Sequence, residues 1–157
     1  MIKLDIPGYK KLEIKNIVFD FNGTIAEDGV LVEGIKERIC KLKDLGLDIY
    51  VLTADTNGSV AQQCRNLPVN IEIFAKGDAL EEKRNIVERL GKDNTIAVGN
   101  GRNDADMFKS SILSIAIIGS EGCYSKTLLE ADIVVNSPLD AAELLLKPNR
   151  VKATLRI

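Results

Sequence analysis

Four polar segments, each beside an apolar run, contain residue types that could carry out chemistry on a phosphate. The apolar run within 13–21 leads into Asp20, and Asn22, Gly23 and Thr24 follow it closely. A carboxylate in this position can attack phosphorus and form an aspartyl phosphate. Gly23 would let the backbone turn close to a phosphate and expose its N–H groups, and Thr24 would add a hydroxyl donor. An isolated Asp-x-x-Gly-Thr segment is equally typical of an aspartate that caps a turn.

Two further segments offer groups that could hold a phosphoryl group. The apolar run within 47–55 leads into Thr53 and Ala54, whose hydroxyl and backbone N–H could bind one phosphoryl oxygen. Lys83, or in a second interpretation Lys76, could neutralise the negative charge that develops on the phosphate. Threonine is common in strands and lysine is common on exposed helix surfaces, so neither segment is diagnostic by itself.

The fourth segment, 96–107, offers oxygen ligands for a cation. Asn100 ends its apolar run, and Asp104 follows four residues later. Acidic groups in this position can share Mg²⁺ with the attacking carboxylate and the phosphate. The alternative is a tight Asn-Gly turn followed by an aspartate near the N-terminus of a short helix.

The elements that would position these segments alternate between strands and helices. This β-α-β order predicts an α/β fold with three layers, in which helices cover both faces of a Rossmann-like parallel sheet of about five or six strands. Ligands bind outside the carboxyl ends of such strands, where Asp20, Thr53 and Asn100 would lie. The predicted strands are 13–21, 47–55, 69–75, 94–100, 113–119 and 131–137, and the predicted helices are 32–46, 58–67, 78–91 and 138–147, with a short helix after 100.

The chain is expected to form one domain, 1–157, because it has no linker, repeat or low-complexity segment. Its core is expected at about 14–140. The terminal segments 1–13 and 150–157 are predicted to be edge strands, and the first of them could form a small hairpin.

The composition excludes several classes of function. The chain has 21 basic and 23 acidic residues, no basic cluster and 4% aromatic residues, so nothing supports binding of nucleic acid. Because histidine is absent, Ser-His and Cys-His catalysis are excluded and a zinc site is not expected.

The same composition favours a cytoplasmic protein. Cys40, Cys64 and Cys123 are widely spaced and are predicted to be buried thiols in a reducing compartment. The N-terminus has no apolar signal core, and the longest apolar runs are too short for a bilayer, so no membrane association is expected.

Taken together, the segments resemble the haloacid dehalogenase (HAD) superfamily of phosphotransferases, and most closely the phosphorylation domain of P-type ATPases. The likeness covers about residues 14–140, and as an ordered set the motifs are highly specific. "VFDFNGTIAEDG" resembles the D-x-x-G-T phosphorylation motif, "VLTADT" the T-G-D motif with Ala for Gly, "LEEKRNIVERL" the P-x-x-K helix, "VGNGRNDADM" the G-D-G-x-N-D-A run, and "EADIVV" the strand that follows.

The resemblance implies a role for each matching residue. Asp20 would be the nucleophile, and Thr53 and Lys83 would hold the phosphate. Asp104 would be a carboxylate of the magnesium site, and the backbone carbonyl of Asn22 would be a magnesium ligand whatever its side chain. The cofactor implied is Mg²⁺.

The resemblance also implies an open active site. About thirty residues separate Asp20 from Thr53, so neither a nucleotide domain nor a cap domain fits between them. Capless members of the superfamily act on large substrates or close their site by forming oligomers. A phosphorylated substrate is therefore expected, whose identity the sequence does not specify, and a homo-oligomer could close the site.

Two family carboxylates are replaced by asparagines. Asn22 stands where phosphatases carry the general acid and base, and an amide cannot supply the about 10²- to 10⁴-fold that such catalysis contributes. Asn100 stands where the family carries a magnesium-binding aspartate, and an amide oxygen is a weaker ligand for a hard cation. The metal site is therefore expected to be weakened.

Three functions are consistent with these residues. The first is a slow magnesium-dependent phosphohydrolase that works through phospho-Asp20. The second is a non-catalytic or regulatory module that binds phosphate, nucleotide or a partner protein. The third is a receiver-like phosphoacceptor domain, which shares an aspartate, a threonine and a lysine but fits the motif order badly.

Overall fold

The strand that carries Asp20 lies inside a six-stranded sheet in the computed structural model, which describes residues 1–157. The strands are β1 Ile2–Asp5, β2 Lys11–Ile14, β3 Asn16–Asp20, β4 Ala26–Glu27, β5 Val30–Leu31, β6 Asp48–Thr53, β7 Asn70–Ile73, β8 Thr95–Gly99, β9 Leu113–Ile117 and β10 Ile133–Val135. The helices are α1 Ile35–Asp44, α2 Ser59–Gln63, α3 Ala79–Gly91, α4 Ala105–Ser110, α5 Ser125–Glu130, α6 Pro138–Leu146 and α7 Asn149–Leu155.

The central sheet has the order β10-β9-β8-β3-β6-β7, and every neighbouring pair is parallel. In β3, Phe19 pairs with Val51 of β6 on one side and with Val98 of β8 on the other. The segments that follow β3, β6 and β8 therefore meet at one edge of the sheet. The predicted α/β class and the number of strands are confirmed.

Strand β3 is buried on both faces, as its continuous apolar sequence predicts. Successive side chains of a strand point to opposite faces. Ile17 and Phe19 consequently pack into the larger hydrophobic core, whereas Val18 packs into the smaller one. The nucleophile candidate thus ends a strand that two cores hold in place.

Helices cover both faces of the sheet. On the larger core, α1 packs against α6 and contributes Ile35, Ile39 and Leu42, which share one helical face. On the smaller core, α3 packs against α4 and contributes Ile86 and Val87. The second arrangement matters for the site, because α3 also carries Lys83.

The C-terminal segment 150–157 is not an edge strand, which corrects the prediction from sequence. It forms most of α7, which begins after Pro148 and packs Val151 and Leu155 against the larger core. These two residues are four apart, so they share a face of a helix. The N-terminal segment 1–13 forms strands β1 and β2, which pair with each other in a separate hairpin.

Other details were missed by the sequence analysis. Helix α5 and the small β4–β5 hairpin were not predicted. All three cysteines are free, but only Cys64 is buried, whereas Cys40 is exposed and Cys123 is half-buried. None of the helices combines the length and the apolar character that crossing a membrane requires.

Candidate active site

Lys83 joins three of the four predicted segments, because it links its own segment to those of Asp20 and Asp104. Its side chain is fully buried. Lys83 Nζ donates to Asp20 Oδ1 at 3.0 Å, to Asp104 Oδ1 at 2.8 Å and to Asn103 Oδ1 at 3.0 Å. An ammonium group has three protons, so these three acceptors use its full capacity.

The position of Lys83 follows from the apolar face of α3. Ala79, Ile86 and Val87 are buried on the same helix, and the aliphatic stem of the lysine enters the smaller core with them. Its Nζ lies 4.8 Å from the centre of the Phe74 ring, within the range of a cation–π contact. Lys76, the alternative lysine, is exposed and makes no contact with Asp20.

The carboxylate of Asp20 titrates unusually because of its surroundings. Burial raises its pKa most, and the negative charge of Asp104 raises it further, whereas Lys83 lowers it; the net result is a pKa of about 7. Burial alone would lower the pKa of Lys83, but the charges of Asp104 and Asp20 and their hydrogen bonds raise it overall. The lysine is therefore charged at neutral pH, and Asp20 is close to its own midpoint.

Asp104 is committed to contacts within the protein. Its Oδ2 accepts the backbone N–H groups of Asn100 at 3.0 Å and Gly101 at 2.9 Å, while its Oδ1 accepts from Lys83. A Cβ atom at Gly99 would overlap with this carboxylate, which explains glycine there. In this arrangement, Asp104 fixes the turn after β8 and holds the lysine.

The segment after Asp20 forms a tight turn that uses its own backbone groups. The N–H of Gly23 donates to the carbonyl of Ala26 at 2.9 Å, and the N–H of Thr24 donates to that of Phe21 at 3.2 Å. Asn22 is exposed, and its Oδ1 accepts the backbone N–H of Gly29 at 3.1 Å. Because these N–H groups are already paired, phosphate binding by Gly23 and Thr24 stays a prediction.

Thr53 and Ala54 line a cleft beside the nucleophile candidate. Thr53 Oγ1 accepts the backbone N–H of Asp55 at 3.0 Å, which leaves its hydroxyl proton available to a ligand. The cleft encloses about 200 Å³ and is lined by Asp20, Phe21, Asn22, Leu52, Thr53, Ala54, Phe74 and Asn103. Its volume suits a phosphoryl group and little more.

A larger cavity of about 580 Å³ lies next to this cleft, and Asn103 lines both. Its lining residues are Lys76, Gly77, Ala79, Leu80, Gly101, Arg102 and Asn103. The lining contains two basic side chains and no acidic one. A group attached to a phosphate in the small cleft would find room and positive charge here.

The oxygen atoms at this edge fit a hard divalent cation in chemical type. They include the carboxylate of Asp20, the backbone carbonyl of Asn22 and the amide oxygen of Asn100. That amide oxygen accepts from Thr24 Oγ1 at 3.4 Å. No three carboxylate, thiolate or imidazole groups converge anywhere in the chain, so any cation here would depend on neutral oxygens as well.

Three residues near the site were not predicted to contribute to it. Asn103 was overlooked although it stands beside Asp104 in "GNGRND", and this adjacency was an available signal. Phe74 and Glu121 belong to no motif, because their places depend on how β7 and the turn after β9 pack. Only the fold brings them to this edge.

Several proteins of Methanocaldococcus jannaschii are similar to this chain in sequence, although no family model matches it. An uncharacterized protein is 50% identical over 78 residues, which are 47% of this chain and 84% of that protein. A soluble P-type ATPase-like phosphatase is 31% identical over 115 residues, which are 71% of this chain and 42% of that protein. The chain thus corresponds to less than half of the second relative.

Solved structures of phosphatases share the fold. The cobalt-bound deoxy-D-mannose-octulosonate 8-phosphate phosphatase of Haemophilus influenzae superimposes with a TM-score of 0.73 at 13% identity, over 92% of this chain and 94% of that one. The corresponding enzyme of Moraxella catarrhalis, in complex with magnesium, phosphate and KDO, gives 0.71 at 17% identity, over 91% and 94%.

A phospho-aspartyl intermediate analogue of phosphoserine phosphatase gives a TM-score of 0.68 at 20% identity, over 86% of this chain and 99% of that one. Identities this low establish the fold alone. Together with the motif residues and the similarity to the soluble phosphatase, they support the resemblance drawn from the sequence. The chain has the fold of haloacid dehalogenase phosphatases and resembles the soluble P-type ATPase-like phosphatases in sequence.

Proposed function

We propose that the chain is a slow, magnesium-dependent phosphohydrolase of the cytoplasm that acts through a phospho-aspartate at Asp20. The observation that carries the proposal is the contact of Lys83 Nζ with Asp20 and Asp104 beside a cleft lined by Thr53. Lysine is almost never fully buried unless it is paired, so the burial of Lys83 between two carboxylates indicates a position that the fold specifies. The similarity to a soluble phosphatase supports the same reaction class.

In the first step, a carboxylate oxygen of Asp20 attacks phosphorus, the bond to the leaving oxygen breaks, and that oxygen takes a proton from water. Lys83 already holds one oxygen of Asp20 and keeps the attacking group in place. The hydroxyl of Thr53 donates to a phosphoryl oxygen. In the second step, water attacks the phosphorus, and phosphate leaves from Asp20.

Magnesium, when bound, would neutralise charge on the phosphoryl oxygens. The residues that would hold it directly are Asp20, Asn22 through its carbonyl, and Asn100, and the sequence resemblance adds Asp104 to the site. Because Asp104 already accepts three hydrogen bonds, we assign it to positioning Lys83 and the turn rather than to direct contact with the ion. Cobalt and magnesium in the structural neighbours support a divalent ion.

The reaction is expected to be slow because Asn22 cannot exchange a proton. Its amide oxygen accepts the N–H of Gly29, and an amide has no proton that it can give to a leaving group at neutral pH. Both departure of the leaving group and hydrolysis of phospho-Asp20 then depend on water alone.

The test is trapping of the phospho-aspartate state. Fluorine NMR of the protein with beryllium fluoride and magnesium should show a bound trifluoroberyllate, and the D20N variant should lose that signal. With a reactive phosphate donor in place of beryllium fluoride, mass spectrometry after borohydride reduction should locate the modified residue at Asp20. If no bound signal appears and the N22D/N100D variant hydrolyses no phosphoester, the proposal is wrong.

A second candidate is a binding module that retains the phosphate site without turnover. The observation that favours it is the structural use of Asn22 and Asp104, both of which already have partners within the protein. Tight binding of phosphate or nucleotide by calorimetry, without hydrolysis of any compound in a broad phosphoester panel, would support this candidate over the first.

We also propose that a second copy of the chain closes the open cleft. Support comes from the absence of a cap between Asp20 and Thr53, where the structure contains only the short β4–β5 hairpin and α1. Light scattering should detect a dimer or larger assembly. A monomer at working concentration would remove this part of the proposal and leave the chemistry unchanged.

A further inference from the structure

Glu121 lies beside the candidate site although no motif includes it. It belongs to a tight turn after β9, in which the N–H of Gly122 donates to the carbonyl of Gly119 at 2.9 Å. A Cβ atom at Gly23 would overlap with Glu121 Oε2 and would lie 2.6 Å from Asn100 Nδ2. The carboxylate of Glu121 and the amide of Asn100 therefore share the space next to Gly23.

Asn100 holds this turn in place through its amide. Its Nδ2 donates to the carbonyl of Gly122 at 3.1 Å, while its Oδ1 accepts from Thr24. An aspartate at position 100 would have no N–H to donate to Gly122. It would also place a second negative charge close to Glu121. The asparagine is thus suited to presenting a neighbouring carboxylate.

No charged group of the protein pairs with this carboxylate. Glu121 is exposed to solvent and takes part in no ion pair and no hydrogen bond, so its carboxylate is accessible to an ion. Lys83 is the ammonium group of the site, and it is already shared by Asp20 and Asp104. A divalent cation would balance the remaining negative charge, and carboxylate oxygens are preferred ligands for such ions.

We propose that Glu121 supplies the carboxylate that position 100 lacks, so that the turn after β9 contributes an oxygen donor and a negative charge to the magnesium site. This inference rests on the proposed magnesium dependence. It requires neither phosphorylation of Asp20 nor turnover, and it can therefore be tested on the protein without substrate.

The test measures binding of Mn²⁺ to the full chain by electron paramagnetic resonance, with Mg²⁺ as competitor. The E121Q variant should bind Mn²⁺ about ten- to a hundredfold more weakly, as is usual when a carboxylate near a metal is removed. E33Q is the matched control, because Glu33 is an exposed glutamate that forms no ion pair, and its affinity should equal that of the wild type.

Position 100 supplies a second test. N100D in the E121Q background should regain most of the lost affinity, because a carboxylate returns to the same space. E121Q binding Mn²⁺ as tightly as the wild type, E33Q losing as much as E121Q, or a double variant as weak as E121Q would overturn the inference. If Mn²⁺ binding follows the expected pattern while beryllium fluoride never binds and N22D/N100D hydrolyses no phosphoester, the phosphohydrolase proposal fails and this one stands.

Discussion

At the scale of single residues, Lys83 supplies the positive charge that balances the carboxylates of Asp20 and Asp104. Replacement by methionine would leave the buried carboxylates of Asp20 and Asp104 facing each other without a counter-charge. We expect K83M to lower the free energy of unfolding by about 3–5 kcal/mol, as is typical when one partner of a buried ion pair is removed. Urea unfolding followed by circular dichroism measures this change.

The matched control for this prediction is K76M, because Lys76 is exposed and contacts neither carboxylate. It should change the free energy of unfolding by less than about 0.5 kcal/mol. The double variant K83M/D20N should recover part of the loss, since one of the two unpaired charges is then gone. Equal losses for K83M and K76M would contradict the assignment.

The raised pKa of Asp20 predicts how stability depends on pH in metal-free protein. Its ordinary pKa is 3.8, and in the folded chain the pKa is about 7, chiefly because the carboxyl is buried. The folded state therefore binds the proton more tightly than the unfolded state does. The contribution of this group to stability is full below about pH 4 and is lost as pH rises through about 7.

D20N removes this titration while it keeps the shape of the side chain. With EDTA present, the melting temperature of D20N relative to the wild type should rise between pH 5 and pH 8, and saturating Mg²⁺ should reduce the difference. If the melting temperatures of the two proteins instead change equally with pH over this range, Asp20 has an ordinary pKa.

Asn22 is the residue predicted to limit turnover. N22D would restore a group that can exchange a proton, and its Oδ1 can still accept the N–H of Gly29, so the turn is preserved. We expect decay of phospho-Asp20 to accelerate by about 10²- to 10⁴-fold. The measurement is the single-turnover decay of the trapped acyl phosphate. The control is N22S, whose hydroxyl oxygen can also accept a hydrogen bond but which has no acidic group. Equal rates for N22D and N22S would reject this role.

At the scale of elements, the sequence predicted the strands and helices that are marked by continuous or periodic apolar patterns. Strand β3 and helix α1 were placed within a few residues because their side chains face the cores directly. The sequence also brought Asp20, Lys83 and Asp104 to one site. It could not predict Glu121, because that position depends on the docking of a turn by Asn100.

The C-terminal segment shows how an ambiguous pattern was misread. "VKATLRI" alternates apolar and polar residues, which favours a strand, but it has a helical face of Val151 and Leu155 after Pro148. We expect V151A to destabilise the protein by about 2 kcal/mol, since a fully buried valine loses two methyl groups. V134A, at an exposed valine of β10, should be close to neutral in the same thermal unfolding experiment.

At the scale of the whole molecule, a substrate would have to be selected by the residues around the cleft, because no cap domain covers it. The cavity of about 580 Å³ beside the cleft presents Lys76 and Arg102, and neither is in an ion pair. A phosphomonoester whose leaving group carries negative charge would gain from both. Because the two side chains are exposed, each should contribute about 0.2–1 kcal/mol, which salt would reduce.

The prediction is tested with phosphoglycerate and glycerol phosphate, which differ by a carboxylate in place of a neutral group. The K76Q/R102Q variant should lose affinity for phosphoglycerate, as a rise in KM of up to about thirtyfold, while KM for glycerol phosphate changes little. K92Q is the control, since Lys92 precedes β8 and so lies at the opposite edge of the sheet. An equal rise for both substrates would mean that the two cations act on the transferred phosphate, and the cavity would then have no part in selecting the leaving group.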